Sequence, residues 1–216
     1  MIVTGGWSGE VLLDSVELWS PHSGHWTSVD GWRLSQARYQ HCSASHGHHS
    51  LIIAGGYPTL SLVQVLSLAD HQWQGWTDLQ PMMTGRAGHA CVITNIGLRP
   101  VLIVSGGHNN GQLLQSVEAL YLDDDEAAWL NMQNMIQRRR HHIMTVLDNS
   151  LLLIGGDTEA HQPMRGFYYQ LVEDIESLEI TENANEMMAT RWKVRKTLLS
   201  PRTLLSHVKI NKNLCS

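Results

Sequence analysis

The chain is 216 residues long and 43% hydrophobic, with eight Trp and one Phe; fifteen basic against twenty acidic residues leave a formal charge of −5. That acid excess argues against a nucleic-acid surface, and no apolar run is long enough to span a bilayer, nor is a leader peptide readable. Cys42, Cys91 and Cys215 match neither a disulfide framework nor a Cys-x-x-Cys spacing, so a reduced, cytoplasmic setting is the expectation.

The first element in chain order is the strand "IVTGG", which stops at Gly5 and Gly6. A loop follows, then the alternating segment "SVELWS" at 15–20, which reads as a half-buried strand. Trp26 opens a further short strand, and Arg38, with His41 three positions on, leads into the next. The same order then recurs. "LIIAGG" ends at Gly55 and Gly56, followed by "LVQVLSL" at 62–68, Trp76, Arg86 and His89. "VLIVSGG" ends at Gly106 and Gly107, followed by "SVEALYL" at 116–122, Trp129, Arg139 and His142. "LLLIGG" ends at Gly155 and Gly156, followed by "DIESLEI" at 174–180, Trp192 and Arg202, with Leu205 in the His place.

Successive glycine pairs are 50, 51 and 49 residues apart, a period that fits propeller blades. A nucleotide cradle would need one glycine fingerprint opening an amphipathic helix; here a strand follows each pair. Glycine at these places supplies positive φ and close backbone approach, and the Trp of each unit supplies apolar area for a blade-to-blade contact. Glu17, Glu118 and Glu176 recur in the strand after the glycines, with Gln64 in the second unit, as partners for buried arginines.

The order "RAGHACVI … VLIVSGG … SVEALYL … W" resembles the kelch repeat over nearly the whole chain. The fourth unit departs from it between Asp157 and Glu173 and at Leu205. The resemblance implies an all-β, kelch-type β-propeller of about four blades, each a four-stranded antiparallel sheet. The blades are expected at about 1–37 plus the C-terminal strand 202–216, then 38–85, 86–138 and 139–201. From Arg202 through Ser216 and on from Met1 to Gly5 is 19 residues, against internal Arg-to-Gly gaps of 17, 20 and 16. Two closures fit: N- and C-terminal strands paired in one blade, or a piece of a larger propeller.

For function, the resemblance implies a protein-recognition module. Relatives of this kind include BTB-BACK-kelch substrate receptors of cullin-type ubiquitin ligases, actin binders, and enzymes such as copper oxidases. Loops after the glycine pairs and before the arginine strands are expected to share one face. They bring Trp7, Tyr57, His108, Asn109, Asn110, Asp157, His161 and Arg165 from the first set, and Trp32, Arg33, Met83 and Gln137 from the second. Exposed aromatics and arginines are good contact chemistry. "HCSASHGHH" at 41–49 reads as a polar hairpin, "RRRHH" at 138–142 as a solvated loop around the structural Arg and His, and "DDDE" at 123–126 as a charged turn. No catalytic constellation, metal site or cofactor is expected, and the partner is expected to be a protein.

Overall fold

The structure, a computed structural model, describes residues 1–47, 50–69, 72–162, 166–183, 186–189 and 191–198. The first sheet holds β1 (Ile2–Trp7), β2 (Leu12–Trp19) and β3 (Trp26–Ser28) in that order. A 3-10 turn at Asp30–Trp32 is the one helical element among the described residues. The second sheet runs β4 (Cys42–His46), β5 (Ser50–Ala54), β6 (Val63–Ala69) and β7 (Gln72–Asp78). The third unit comprises β8 (Ala90–Ile96), β9 (Arg99–Ser105), a hairpin of β10 (His108–Asn109) and β11 (Gln112–Leu113), then β12 (Val117–Tyr121) and β13 (Leu130–Asn131). Its sheet order is β8-β9-β12-β13. The fourth comprises β14 (Ile143–Leu147), β15 (Ser150–Ile154), a hairpin of β16 (Asp157–Gln162) and β17 (Gly166–Leu171), then β18 (Asp174–Asn183), β19 (Glu186–Ala189) and β20 (Lys193–Thr197). There β18 lies beside β15 and pairs both β19 and β20.

The fold is therefore all-β, with antiparallel units repeating in the expected register. In the stretch 157–173, where the fourth unit departs from the repeat, β16 and β17 pair antiparallel. Trp76, expected to open its strand, sits inside β7, which starts four residues earlier at Gln72. Arg202 and the segment 202–216, on which the expected closure rests, lie outside the described residues.

Both faces of the two middle glycine-ended strands, β5 and β9, are apolar because each is sandwiched between two neighbours. In β9, Leu102 and Val104 pack with Ile52, Ala54 and Trp129 against the second unit, whereas Val101 and Ile103 pack with Leu151, Leu153 and Trp192 against the fourth. In β5, Ile53 turns the other way, toward Val16 and Leu34 of the first unit. A continuous aliphatic run is what a strand buried on both faces requires.

The Gly-Gly break follows from the next contact. The amide of Gly56 donates to the Arg86 carbonyl at 3.0 Å, as Gly6 does to Arg38 and Gly107 to Arg139. A β-carbon on Gly55 would lie 2.4 Å from that same carbonyl oxygen, and φ there is +60°. Any side chain would force the two units apart.

The tryptophans also act across units. Trp76 Nε1 donates to the Trp32 carbonyl, Trp129 Nε1 to Gln80 and Trp192 Nε1 to Gln133, at 2.7, 2.8 and 2.8 Å. Trp26 departs from this expectation: it is 47% exposed, since no described unit lies ahead of the first to cover it. Glu17 is exposed for the same reason, whereas Gln64, Glu118 and Glu176 are buried.

Cys42 of β4 and Cys91 of β8 form a disulfide, with Cα atoms 5.9 Å apart. The expectation of no disulfide framework is corrected here. Cys42 and Cys91 are 49 residues apart, about one repeat, and adjacency of inner strands in successive blades brings them together where linear spacing shows no motif.

Candidate interaction face where the inner strands meet

Each inner strand is entered through a buried arginine. Arg86 Nη2 bonds Glu118, and Arg139 Nη2 bonds Glu176, all four side chains being essentially inaccessible. Arg38 has the neutral Gln64 instead, at 2.9 Å. Each guanidinium also donates to the carbonyl of the first glycine in its own unit: Gly55, Gly106 and Gly155. Burial lowers the pKa of Arg86, and the facing Glu118 charge offsets only part of that shift.

The same carboxylates grip the loops entering the arginine strands. Glu118 accepts from the amides of Met83 and Thr84, and Glu176 from those of Ile136 and Gln137. These loops are thus tied to a buried ion pair, and an anchor carried on them needs little ordering on contact.

The register histidines lie over the first glycine of the preceding unit. His41 Nε2 bonds Thr4 Oγ1, and His142 Nε2 bonds Ser105 Oγ, both at 2.9 Å. The equivalent position beside His89 is Ala54, and neither ring nitrogen of His89 has a partner among the described residues. Burial, then the neighbouring Arg38, holds His41 down at a pKa of about 4. Burial and the adjacent arginines likewise push His89 and His142 well below the ordinary value.

Two residues after each arginine the backbone turns left-handed, at Gln40, Gly88 and His141 (φ 56°, 64° and 52°). Here the inner strands are linked directly: Gly88 N donates to the Gln40 carbonyl at 2.8 Å and His141 N to the Gly88 carbonyl at 2.7 Å. One residue earlier, Tyr39, Ala87 and Arg140 bridge to Tyr57, His108 and Asp157, the first residues after the glycine pairs.

Two clusters result. Trp7, Tyr39 and Tyr57 form an aromatic group, with centroids 6.4 Å apart for Trp7–Tyr39 and 5.8 Å for the edge-on Tyr39–Tyr57 pair. Trp7 and Tyr57 remain 54% and 53% exposed. On the far side, Asp157 holds Arg140 Nε at 2.9 Å and His141 Nδ1 at 3.0 Å. Burial lowers the pKa of both His141 and His108.

Of the expected loop residues, the structure therefore gathers Trp7 and Tyr57 in one cluster and Asp157 in the other. Asp157 is buried and ion-paired rather than a loop contact. His161 lies in β16, its backbone opposite Phe167, and not in a loop. Asn109 ends β10; Asn110 and Gly111, both at positive φ, make the hairpin turn, as an Asn-Gly pair favours. In the second set, Met83 is exposed, Gln137 is half-buried, and Arg33 pairs with Asp14. Trp32 packs against the cluster between the first two units and accepts the Trp76 N–H. Arg165 lies outside the described residues.

In "RRRHH" only Arg138 is exposed, so the solvated loop becomes a buried network through Arg139, Arg140, His141 and His142. Within 41–49, His41 is bonded to Thr4, and 48 and 49 lie outside the described residues. Asp123 is bridged twice by Arg99, and Asp124 caps Glu126, so "DDDE" is a charged turn. Sequence reading missed Tyr39, Arg140 and His141. Their signal was available: they occupy the places one and two after the register arginine.

The repeating Arg–Glu, Gly-Gly and Trp contacts define a kelch-type propeller fold, and the chain is similar to kelch-repeat proteins. It is similar to the kelch repeat-containing protein kel-10 of Caenorhabditis elegans, 23% identical over 181 residues, covering 81% of this chain and 30% of the relative. The kelch repeat and BTB domain-containing protein F47D12.7 of the same organism is 23% identical over 187 residues, with 81% and 30% covered. Kelch-like protein 23 of Mus musculus is 24% identical over 158 residues, with 72% and 27% covered. The chain thus spans about 30% of the length of these curated relatives. Among solved structures, YjhT superposes with a TM-score of 0.58 at 17% identity, over 83% of this chain and 53% of that one. No protein-family model matches the chain.

Proposed function

We propose that the chain is a protein-recognition module, and that its contact face is the one bearing Trp7, Tyr39 and Tyr57. The observation that carries this reading is an aromatic group left half exposed, in which Tyr39 follows the buried Arg38 and is bridged to Tyr57. Exposed aromatics on a stiff frame offer large contact area with little ordering cost. The test is affinity capture with the intact chain beside a Trp7→Ala, Tyr39→Ala, Tyr57→Ala variant. Each anchor is worth about 2 kcal/mol at a hot spot, so the variant should lose its partners while keeping its melting temperature. Retention of the same partners at the same affinity would move the contact face elsewhere.

A second reading rests on one of the relatives named above, which is described as carrying a BTB domain as well as kelch repeats. In that reading the propeller selects substrates for a ubiquitin ligase of the cullin type. Capture of a ligase component by the full-length protein, lost when the propeller alone is used, supports it.

A further inference from the structure

Beyond the apolar cluster they share, the second and third units stand apart. A groove of about 670 Å³ separates them there, within the roughly 300–1,000 Å³ of ligand-binding clefts. One wall is the cross-strand pair Ser50–Ser67 and the neighbouring row Ile52–Val65–Thr77 over β5, β6 and β7. Leu120, Tyr121 and Leu122 of the third unit form the other wall. Ile52 and Leu120 belong to the apolar cluster between the two units, so the groove opens where that cluster stops.

The next junction shows what opens it. Ser50 stands five residues before Gly55 and pairs with Ser67, whereas Val101 stands five before Gly106 and pairs with Tyr121. Val101 is fully buried, and Tyr121 packs on the same cluster with Leu178 and Ile180 of the fourth unit. Interiors fill to near-crystalline density when side-chain volume allows. Two serines in place of a valine and a tyrosine leave the second-to-third junction short of that volume.

Asp78, Asp124 and Asp125, all exposed, also line the groove, and none of them is in an ion pair among the described residues. Asp78 is tied through Gln64 to the buried Arg38, so Asp124 and Asp125 carry the uncompensated charge. Arg99, stacked on Tyr121 at 3.9 Å, is held by both oxygens of Asp123. His46 is the one lining side chain, among the described residues, able to become positive. The Ser50 and Thr77 hydroxyls reach carbonyls of their own sheet only at 3.5 and 3.4 Å, which leaves their oxygens to accept peptide N–H groups. We propose that this groove binds an extended basic segment of a protein partner. The methylenes of its Lys or Arg side chains lie along Val65 and Leu122, and their charged ends reach Asp124 and Asp125. The same carboxylates repel acidic segments. The groove shares no residue with the Trp7–Tyr39–Tyr57 face and does not depend on it.

The test titrates the intact, isotope-labelled chain with a capped hexapeptide of alternating arginine and alanine, using its glutamate counterpart as the control. Expected are one-to-one binding of the arginine peptide and NMR amide shifts at Ser50, Ser67, Thr77 and Leu122. Affinity should fall as ionic strength rises from about 0.01 to 0.15 M, where the screening length shrinks from about 30 to 8 Å. Asp124→Asn with Asp125→Asn should weaken binding about tenfold, as loss of two exposed ion pairs would. Ser50→Val with Ser67→Tyr rebuilds the packed row of the next junction and should abolish binding without lowering the melting temperature. The Trp7→Ala, Tyr39→Ala, Tyr57→Ala variant should bind the peptide as the unchanged chain does. No binding, equal binding of the glutamate peptide, or shifts confined to residues outside the groove would each overturn the site. So would binding that survives the filling or the aspartate variant undiminished, or that is lost in the aromatic one. The shift map and the aspartate variant leave the packed row untouched, so a filling variant that fails to fold does not remove the test.

Discussion

Ala54→Ser should stabilise the protein. Two of the three described register histidines receive a hydroxyl from the residue before the preceding glycine pair, Thr4 for His41 and Ser105 for His142, at 2.9 Å in both cases. Ala54 holds that place beside His89 and offers none. His89 is 7% exposed and neither ring nitrogen is paired among the described residues. A serine hydroxyl there would form one buried hydrogen bond, worth about 1 kcal/mol net, and would also relieve an unsatisfied polar atom. For a chain of this size that corresponds to a melting-temperature rise of about 2–4 °C. The assay is chemical denaturation of wild type, Ala54→Ser, His89→Phe and the double variant, closing a thermodynamic cycle. The gain should vanish when His89 is absent. A destabilised Ala54→Ser, or a gain that persists without His89, would refute the pairing rule.

Acidification should weaken the fold. His41 has a pKa lowered to about 4 by burial and Arg38, and His89 and His142 are lowered too. The unfolded chain therefore takes up protons first: stability is full above about pH 6.5 and falls as pH drops toward 4, by roughly 3 kcal/mol from His41 alone, as urea midpoints across that range will show. Glu118→Ala strands Arg86 together with the Met83 and Thr84 amides and should cost about 3–5 kcal/mol. Glu118→Gln should cost less, because Gln64 already serves Arg38; equal losses in denaturation would argue against the network. Trp129→Ala, at a 6% exposed site, should lose about 3–5 kcal/mol, whereas Trp26→Ala should stay within about 0.5 kcal/mol, both measured by the same melts.

The repeat was legible because one backbone event, a strand ending against the next unit's arginine carbonyl, forces glycine at the same place in each turn of the sequence. The Arg–Glu pairing was legible too, since a buried guanidinium needs a fixed partner and Glu118 and Glu176 stood in register. The exposure of Trp26 was not, because burial there depends on a preceding unit rather than on Trp26 itself. Nor was the Cys42–Cys91 bond, which depends on adjacency between inner strands. Asp157 read as a loop residue because nothing local shows that Arg140 and His141, 17 and 16 positions earlier, converge on it.

The tryptophan and carboxylate contacts have a direction. Trp76, Trp129 and Trp192 donate to the segment that closes the unit before their own, and Glu118 and Glu176 accept from it. Coupling of this kind makes the molecule a nearest-neighbour chain in which each link is latched from one side. Val3 and Trp26, both 47% exposed, and the exposed Glu17 mark a first link with its latches unloaded among the described residues. Local opening should then start at β1 to β3 and spread forward, so that amide protection rises along the sequence from the first unit to the third. The order in which parts of this protein come undone would be written in the polarity of its latches rather than in the size of any one core.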